Sequence, residues 1–325
     1  MTSVQGRRIE NLPLLDLSHI TSAEDLAGIE EIRNVAAVVV PDSLSPALTG
    51  VRMRNVGAVV PVPTGARVRV HTGTVLLGGD ALADPANEDV VLFVTGSLVI
   101  TSPVTKVTFR EIVVTGTVLA PKGSESALGA GLTRVTGEVN YYRHAEGQEF
   151  RQLTGQVRIS GESLANTGGS PDDVLLLAGQ VIVTSPVESV GYQRIFYTGQ
   201  LVLPRASEAV LASVLSGSGQ VAWYTGQPRF FLGKDVLSRG FFELVEEPIA
   251  IAVVGSLRID DDVPAELLRA KVSEVTLVGE LTAPRELLPV LQLLTTERYG
   301  ALRATGEDEE EQDAEGEGTA GDDAD

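Results

Sequence analysis

The sequence predicts a mainly β protein with short helices, built as a β-solenoid from strand–turn or strand–turn–helix repeats of about 20 residues. Three observations predict it. Two long stretches of the chain align with each other, a short glycine-centred phrase recurs along most of its length, and hydrophobic residues reach 43% while aromatic residues reach only 5%. Val, Leu, Ile and Ala therefore supply the apolar surface, which suits many thin and regular layers.

The longest internal match joins Thr95–Pro121 to Ala178–Pro204. The two stretches align without a gap when Thr95 is placed opposite Ala178, and ten of their 27 columns are identical, including a Thr-Ser-Pro-Val run. Most other columns exchange one aliphatic or β-branched residue for another. Self-similarity of this kind predicts that one structural unit is used repeatedly.

A shorter phrase, apolar–Thr–Gly–any–Val/Leu–any–apolar, recurs within and beyond those stretches. Asn34 and Asn55 begin what look like degenerate earlier copies, and the copies follow one another at similar intervals except for one longer gap between Gly219 and Gly255. A threonine precedes the glycine in six copies. The glycines of the phrase are Gly73, Gly96, Gly116, Gly137, Gly155, Gly179, Gly199, Gly219, Gly255 and Gly279.

Stacking of equivalent strands explains why the phrase recurs. Successive side chains of a strand point to opposite faces, and one strand cannot bury an apolar face alone. Strands from successive turns of a solenoid bury that face together and bring equivalent residues into columns. We therefore expect Thr95, Thr115 and Thr136 to be neighbours, and we expect the glycine column to relieve crowding or to admit a bulge.

The segments between strands carry proline and helical patterns. Leucines at helical spacing predict a helix over Glu286–Thr296, and weaker patterns predict helices over Ala206–Leu215 and Ala265–Lys271. Ser22 and Asp25 resemble a capping box at the start of a helical cap over Ser22–Ile32. These signals divide the chain into an N-terminal cap (residues 1–33), a β-solenoid repeat domain (34–305) and a disordered acidic tail (306–325).

Strand, turn and then helix or loop at this period resembles a leucine-rich repeat. The closest stretch is Val272–Leu294, where Val275, Leu277 and Leu281 resemble the strand core of that family. Gly279 stands near the place of the family's laddering Asn, which most copies lack. The Thr-Gly columns of the central copies are similar to the short bacterial β-helices of the bactofilin type. Both resemblances imply a solenoid and, by analogy, a role in interaction or assembly.

A β-propeller is the rival architecture, because copies of the phrase taken in pairs give a period twice as long, which is close to that of a propeller blade. Such a blade needs four strands joined by tight hairpins. The two halves of each double unit resemble each other, which favours one strand per copy of the phrase and therefore the solenoid.

Charge and apolar content bound the partners. The net charge is −19, and the segment Gly306–Asp325 holds eleven acidic residues and no Lys or Arg, so the rest of the chain carries −8. The basic surface that a phosphate backbone requires is missing, so we expect no nucleic-acid partner. No apolar run is long enough to span a bilayer, and the segment Met1–Ile20 does not resemble a signal peptide, so we expect a cytoplasmic protein.

Few residues of the sequence suggest a catalytic, cofactor-binding or metal-binding site. The chain has no cysteine, and its three histidines, His19, His71 and His144, fall in different repeats. The run Asp260–Asp262 could suggest a divalent cation, although a solvated turn that caps the next helix is the better interpretation. No nucleotide-binding or hydrolase motif is present. We therefore expect no catalytic residue, no cofactor and no metal.

The gap between Gly219 and Gly255 concentrates aromatic residues. They form a possible interaction patch, or else a local plug that fills a widened core where the repeat breaks. The six residues are Trp223, Tyr224, Phe230, Phe231, Phe241 and Phe242.

The function predicted from the sequence is that of a non-catalytic structural or protein-interaction scaffold, a monomer or small oligomer with an unidentified protein partner. Helical caps at both ends would limit end-to-end polymerisation of the open solenoid. The alternative is a glycan-binding protein or a carbohydrate-active enzyme of the β-helix type, which would need a cluster of polar side chains on one face.

Overall fold

The computed structural model describes residues 7–306, which fold into four parallel sheets, none of them closed. Strands account for 52% and helices for 20%, so the prediction of a mainly β protein with short helices is confirmed. Parallel pairing excludes the hairpin-built blades of a propeller. The predicted acidic tail lies outside the described residues, except for Gly306.

The described chain forms two compact units with a boundary between Phe150 and Arg151. The first contains sheets 1 and 2, and the second contains sheets 3 and 4. The strands of the first unit are β1 (Arg7–Leu12), β2 (Leu15–Asp16), β3 (Ile29–Pro41) and β4 (Arg52–Val62) in sheet 1, and β5 (Arg67–Leu77), β6 (Val90–Ile100), β7 (Glu111–Pro121), β8 (Leu132–Val135) and β9 (Val139–Tyr142) in sheet 2.

In the second unit each sheet has four strands in chain order. The strands are β10 (Phe150–Ile159), β11 (Val174–Val183), β12 (Arg194–Pro204) and β13 (Leu215–Tyr224) in sheet 3, and β14 (Arg229–Leu237), β15 (Ile249–Ile259), β16 (Val272–Ala283) and β17 (Thr295–Ala304) in sheet 4.

Short helices follow many of the strands and lead to the next one. They are α1 (Ala23–Ala27), α2 (Gly79–Leu82), α3 (Glu125–Gly129), α4 (Glu208–Leu211), α5 (Arg239–Glu243), α6 (Ala265–Lys271) and α7 (Leu288–Leu294). Short 3₁₀ turns serve the same purpose over Asp42–Gly50, Pro85–Asn87, Gly161–Ala165, Arg205–Ser207 and Arg285–Leu287. All helices within the described residues are too short or too polar to cross a bilayer.

Central strands such as β6 and β11 are buried on both faces and contain continuous apolar runs, whereas the edge strands β5 and β10 are largely exposed. In the first unit, Val39 and Val60 of sheet 1 meet Val91 and Phe93 of sheet 2 in a core between the sheets. The opposite face of each sheet packs against its own turns and helices. The second unit repeats this arrangement: its intersheet core includes Ile182, and its outer cores lie under the turns of sheet 3 and the helices of sheet 4.

The expected columns are present. Thr95 pairs in register with Thr72 on one side and Thr115 on the other. The next copy continues the column, because the backbone amides of Thr136 and Gly137 bond to the carbonyls of Val114 and Gly116. Equivalent residues are therefore neighbours in space.

The glycine column is explained by positive φ angles and by a close contact with the backbone of the preceding strand. Gly96 and Gly116 have φ of +132° and +152° in the middle of their strands. A Cβ built on Gly116 would lie 1.9 Å from the carbonyl oxygen of Gly96, and the same holds at 2.3 Å between Gly96 and Gly73. The backbone bends so that a side chain would point along the sheet into the preceding strand, and only glycine fits there.

Sheet 1 also has a column of asparagines with positive φ, two residues before its own position of close strand approach, where a Cβ on Gly57 would overlap the carbonyl oxygen of Ala36. Asn34 and Asn55, interpreted from the sequence as degenerate copies, have φ of +52° and +51°, and Asn11 adds a third copy at +59°. Asparagine is the side chain that tolerates this left-handed conformation best. Sheet 1 therefore has an asparagine column that is distinct from the glycine column of the other sheets.

Several sequence predictions need correction. The helix expected over Ser22–Ile32 ends at Ala27, and Ile29 starts β3. The Ser22 hydroxyl donates to the Asp25 carboxylate at 3.0 Å and makes no hydrogen bond that caps the helix. The residues before it form β1, which pairs with β3, so a strand occupies the outer position where the helical cap was expected.

The helix expected over Glu286–Thr296 also differs, because it is a 3₁₀ turn followed by α7 and ends at Leu294. Since β17 follows it and pairs with β16, α7 covers the sheet face and does not cap its end. The pattern over Ala206–Leu215 yields only a 3₁₀ turn and α4, whereas Ala265–Lys271 is helical over the predicted range.

The long gap between Gly219 and Gly255 is not a break in the repeat. Gly233 of β14 pairs with Gly255 of β15, so a copy of the bend lies inside the gap. The residues between Tyr224 and Arg229 carry the chain from sheet 3 to sheet 4. Two bends therefore follow each other at a short interval there, and Gly300 of β17 adds a further copy at the other side of sheet 4.

Candidate interaction surface

The structure places the six aromatic residues of the predicted patch mainly in core packing. Tyr224, Phe231 and Phe242 are buried, and Trp223, Phe230 and Phe241 are half-buried. They do not form one cluster: Tyr224 and Phe230 lie in the core between sheets 3 and 4, whereas Trp223 packs against the outer core of sheet 3. Whether any of the six contacts a partner stays a prediction.

Tyr224 is held by packing and by a hydrogen bond. Its hydroxyl donates to the carbonyl oxygen of Val183 at 2.8 Å, and its ring meets Phe230 edge to face at 5.3 Å between centroids. Burial raises the pKa of the Tyr224 hydroxyl to about 12, because the phenolate would lose water in this core. A buried tyrosine with a satisfied hydroxyl is a structural anchor.

The first unit contains the same arrangement around Tyr142. The sequence suggested the segment Tyr141–Arg143 as a smaller candidate patch or as partly exposed strand residues, but the Tyr142 side chain is buried. The hydroxyl of Tyr142 donates to the carbonyl of Ile100 at 2.9 Å, and its ring meets Phe150 edge to face at 5.3 Å. Burial raises the pKa of Tyr142 as well. The signal was available, because Tyr142 and Tyr224 are separated by nearly the same interval as the two matching stretches.

The Thr-Ser-Pro-Val run has a structural explanation. The hydroxyl of Ser102 accepts the backbone N–H of Gly79 at 2.8 Å, where α2 of the preceding turn begins. The N–H of Val104 in turn donates to the buried Ser124 hydroxyl of the following turn at 3.0 Å. Each copy of the run thus connects three successive turns of the chain.

The second copy of the run makes equivalent bonds. Ser185 accepts from the N–H of Gly161 at 2.9 Å, and the N–H of Val187 donates to the buried hydroxyl of Ser207 at 2.7 Å. The strongest motif in the sequence therefore satisfies backbone donors of turns that lie apart from regular strand pairing.

Polar side chains in the strands form ladders. Asn34 donates to Asn11 at 3.0 Å and Asn55 donates to Asn34 at 2.9 Å in sheet 1. A longer glutamine ladder crosses sheet 3 through side-chain amides at 2.6, 2.8 and 3.0 Å, and its members are Gln156, Gln180, Gln200 and Gln220. This ladder is the longest row of polar side chains that the described hydrogen bonds connect, and the sequence analysis overlooked it.

The acidic run after β15 caps a helix, as expected, but a different one. Asp262 accepts the backbone N–H of Arg239 at 2.9 Å, at the start of α5 in the preceding turn. Asp260 pairs with Arg258 at 2.5 Å. Within residues 7–306 no group of three or more His, Asp or Glu side chains has an arrangement that could hold a metal ion.

The most exposed large apolar side chains of the described chain lie on the helical layer of sheet 4. Leu244, directly after α5, is 85% exposed, and Leu293 of α7 is 73% exposed. Leu293 lies off the leucine stripe that predicted this helix, and that offset was the available signal. An isolated apolar side chain on a surface is ordinary, but two leucines beside grooves identify a candidate contact.

Two adjoining grooves accompany these leucines. One, of about 500 Å³, is lined by Pro248, Arg269, Val290 and Leu293, among others. The other, of about 480 Å³, includes Leu244 together with Phe241, Glu246, Glu247 and Ile249. Because Glu247, Pro248 and Ile249 are consecutive, the grooves adjoin. We call the apolar area formed by Leu244, Pro248, Ile249, Val290 and Leu293 the 244–293 surface.

Of the predicted patch, only Phe241 lines this surface. The guanidinium of Arg229 lies 5.4 Å from the centre of its ring, and Phe242 and Phe231 pack behind it. Comparison of the whole chain with protein-family models, curated proteins and solved structures found no match, so the 244–293 surface is the candidate that the geometry itself provides.

Proposed function

We propose that this protein is a non-catalytic structural or protein-interaction scaffold built on a repeat solenoid. The observation that carries the proposal is the register of the strands: Thr72, Thr95 and Thr115, and likewise Gly179, Gly199 and Gly219, lie side by side on consecutive strands. Within sheets 3 and 4, each strand up to the last is followed by one crossing segment that leads to the next parallel strand, which is the connectivity of a solenoid with one strand per turn.

The use of the polar side chains supports a non-catalytic role. The asparagine and glutamine side chains of the strands bond to their own kind in ladders, and the serines of the repeated run accept backbone donors. A catalytic site brings unlike acids, bases or nucleophiles together within hydrogen-bond reach. Ladders of identical residues instead stabilise stacking.

The outer strands of sheet 4 support a discrete particle over a filament. On β17 the guanidinium of Arg298 donates to the carbonyl of Gly300 at 3.1 Å. On β14 the carboxylate of Asp235 accepts the N–H of Val236 at 2.8 Å. Charged side chains that occupy backbone groups of an outer strand hinder the pairing of a further strand. The proposal therefore keeps the monomer or small oligomer expected from the sequence.

A comparison of captured proteins tests the scaffold proposal. The full chain and a chain lacking residues 306–325 are immobilised and exposed to native lysate of the source organism, and bound proteins are quantified against blank beads. We expect at least one protein in near-stoichiometric amount, and no reducing sugar released from a polysaccharide panel by the purified chain. Release of sugar that persists through purification would contradict the proposal and favour the enzyme alternative.

A polymer-binding role is the second candidate, and the glutamine ladder is the observation that favours it. Side-chain amides repeated at the spacing of adjacent strands offer hydrogen bonds to an extended glycan. Affinity electrophoresis in polysaccharide gels tests this role, with the double variant Gln180→Ala/Gln200→Ala compared with the wild-type chain. Equal mobility of both proteins in all gels would remove this candidate.

A further inference from the structure

The 244–293 surface lies at one end of sheet 4, where its strands begin. Its lining residues Ile249 and Val272 are the first residues of β15 and β16, and Leu293 and Leu294 lead directly into β17. The helices α5, α6 and α7 form one layer over this sheet, and the two exposed leucines lie toward opposite sides of it, Leu244 after α5 and Leu293 in α7.

The loop between α5 and β15 has a fixed position. The ammonium group of Lys271 donates to the carbonyl of Val245 at 2.5 Å and reaches that of Glu246 at 3.5 Å. Phe241 and Ile249 on either side of the loop pack against the core of sheet 4. Leu244 is therefore presented on a braced loop, so that little conformational entropy needs to be lost when it binds.

The charges on the two sides of this surface are opposite. Glu246 and Glu247 line the groove that contains Leu244, and both are exposed. The groove that contains Leu293 is bordered by exposed Arg269. Arg229, the other cation among the residues that line the two grooves, lies against the ring of Phe241.

In a dimer with a two-fold axis, the Leu244 side of one copy would face the Leu293 side of the other, and their charges would be complementary. If Leu244 of one copy enters the groove beside the partner's Leu293, the loop that carries Leu244 brings Glu246 and Glu247 toward the partner's Arg269. Symmetry repeats the contact, because an isologous interface uses the same patch on both subunits. Placing the two Leu244 loops against each other would instead bring four carboxylates together with only two guanidiniums, those of Arg229, in the same grooves.

We propose that the 244–293 surface binds a second copy of this chain in a two-fold dimer, with Leu244 of each copy in the Leu293 groove of the other. The chain's own acidic C-terminal segment is a poor alternative occupant. It carries almost no apolar side chains, and the described chain reaches it only at the far end of the ten-residue strand β17. This inference goes beyond the proposed function and does not depend on it.

Sedimentation equilibrium of the purified full chain tests the dimer. We expect a dissociation constant of about 1 to 100 µM, as for a modest apolar interface with charged rims. Leu244→Glu and Leu293→Glu should each weaken it by a factor of about ten or more, because each places a carboxylate in an apolar groove. Val236→Glu is the matched control: Val236 is 51% exposed on β14 and does not line either groove, so the variant should dimerise as the wild type does.

Charge reversal identifies the partner surface. Arg269→Glu should weaken the dimer by about tenfold, and combining it with Glu246→Arg and Glu247→Arg should restore most of the affinity. Circular dichroism checks that every variant is folded. A wild-type chain that stays monomeric at about 100 µM, or a dimer that Leu244→Glu, Leu293→Glu and the charge reversals leave unchanged, overturns the proposal. Sedimentation uses the purified chain without lysate proteins, so neither result decides the scaffold proposal, which the capture experiment tests separately.

Discussion

The hydroxyl of Tyr224 on β13 donates a 2.8 Å hydrogen bond to the carbonyl of Val183 on β11, and so connects two strands that β12 separates. Tyr142 on β9 makes the corresponding bond to Ile100 on β6, across β7, in the first unit. Each unit thus has a tyrosine at the end of a strand that bonds to an earlier strand of the same sheet. The bond is buried in both units, so its loss leaves a carbonyl without a partner and without water.

Tyr224→Phe should lower the free energy of unfolding by about 1 to 3 kcal/mol, because it leaves the buried Val183 carbonyl unsatisfied while keeping the ring. Tyr142→Phe should behave alike in the first unit. Urea denaturation followed by circular dichroism measures both. Tyr299→Phe is the control, since the Tyr299 hydroxyl makes no hydrogen bond within residues 7–306, and an equal loss in all three variants would contradict the explanation.

The raised pKa of Tyr224 predicts a stability change at alkaline pH. An unfolded tyrosine has a pKa of about 10, whereas that of Tyr224 is raised to about 12 in the fold. The folded state therefore favours the protonated hydroxyl, so this contribution to stability is complete below pH 10 and is lost as pH rises from 10 toward 12. When the wild-type chain is titrated and phenolate absorbance is followed, we expect a component near pH 12 that is missing in Tyr224→Phe. If the variant keeps this component at unchanged size, the raised pKa belongs to another tyrosine and not to Tyr224.

The glycine column predicts unequal costs for the same substitution. Gly73→Ala meets no atom within 4 Å, so it should cost about 1 to 2 kcal/mol for the positive φ alone. Gly116→Ala adds the overlap with the Gly96 carbonyl and should cost about 1 to 3 kcal/mol more. Thermal unfolding of the two variants measures the difference. Equal melting temperatures would show that the clash is relieved by a shift of the strand.

Asn34 separates the effect of backbone conformation from that of the ladder. Asn34→Gly keeps the left-handed conformation and loses the side-chain bonds to Asn11 and Asn55, which are exposed, so it should cost less than about 1 kcal/mol. Asn34→Ala also meets the penalty for a positive φ and should cost about 1 to 2 kcal/mol more than Asn34→Gly. Denaturant unfolding gives the comparison, and an alanine variant as stable as the glycine variant would argue against the strained bend.

The buried serines of the turns predict a large effect for a small change. Ser207→Ala and Ser124→Ala each leave a buried backbone N–H, that of Val187 or Val104, without an acceptor, which should cost about 1 to 3 kcal/mol. Ser189→Ala, at an exposed position of the same loop region, should cost almost nothing. Differential scanning fluorimetry is sufficient for the comparison. Equal melting temperatures for all three serine variants would show that the buried hydroxyls do not stabilise the fold more than the exposed one.

Part of this fold could be predicted because the repeat has local causes. The phrase around Gly96 repeats at Gly116 with the same neighbours, and strands that repeat a pattern of period two can bury it only by stacking in register. The helix over Ala265–Lys271 followed from its apolar spacing. The short helix α1 did not, because Ile29 and Ile32 satisfy a helical spacing equally well and are drawn into β3 by the core beneath it.

The candidate surface could not be predicted in the same way. The sequence groups Trp223, Tyr224 and Phe242 by proximity along the chain, but they reach different cores. Trp223 and Tyr224 point to opposite faces of β13 because successive side chains of a strand alternate, and Phe242 lies beyond the passage to sheet 4. Leu244 and Leu293, which the surface depends on, lie far apart in the sequence and become parts of one layer only because α5, α6 and α7 pack side by side on sheet 4.

By itself, the sequence determined the strand phrase, its period, the in-register columns and the glycine column, because each of these depends on a residue and its nearest equivalents. The tertiary structure alone decided how many sheets the phrase forms, where the chain passes from one sheet to the next, and which apolar side chains remain outside. Those outcomes depend on the packing of one sheet face against another. The identity of an apolar residue does not specify which sheet face or helix will cover it.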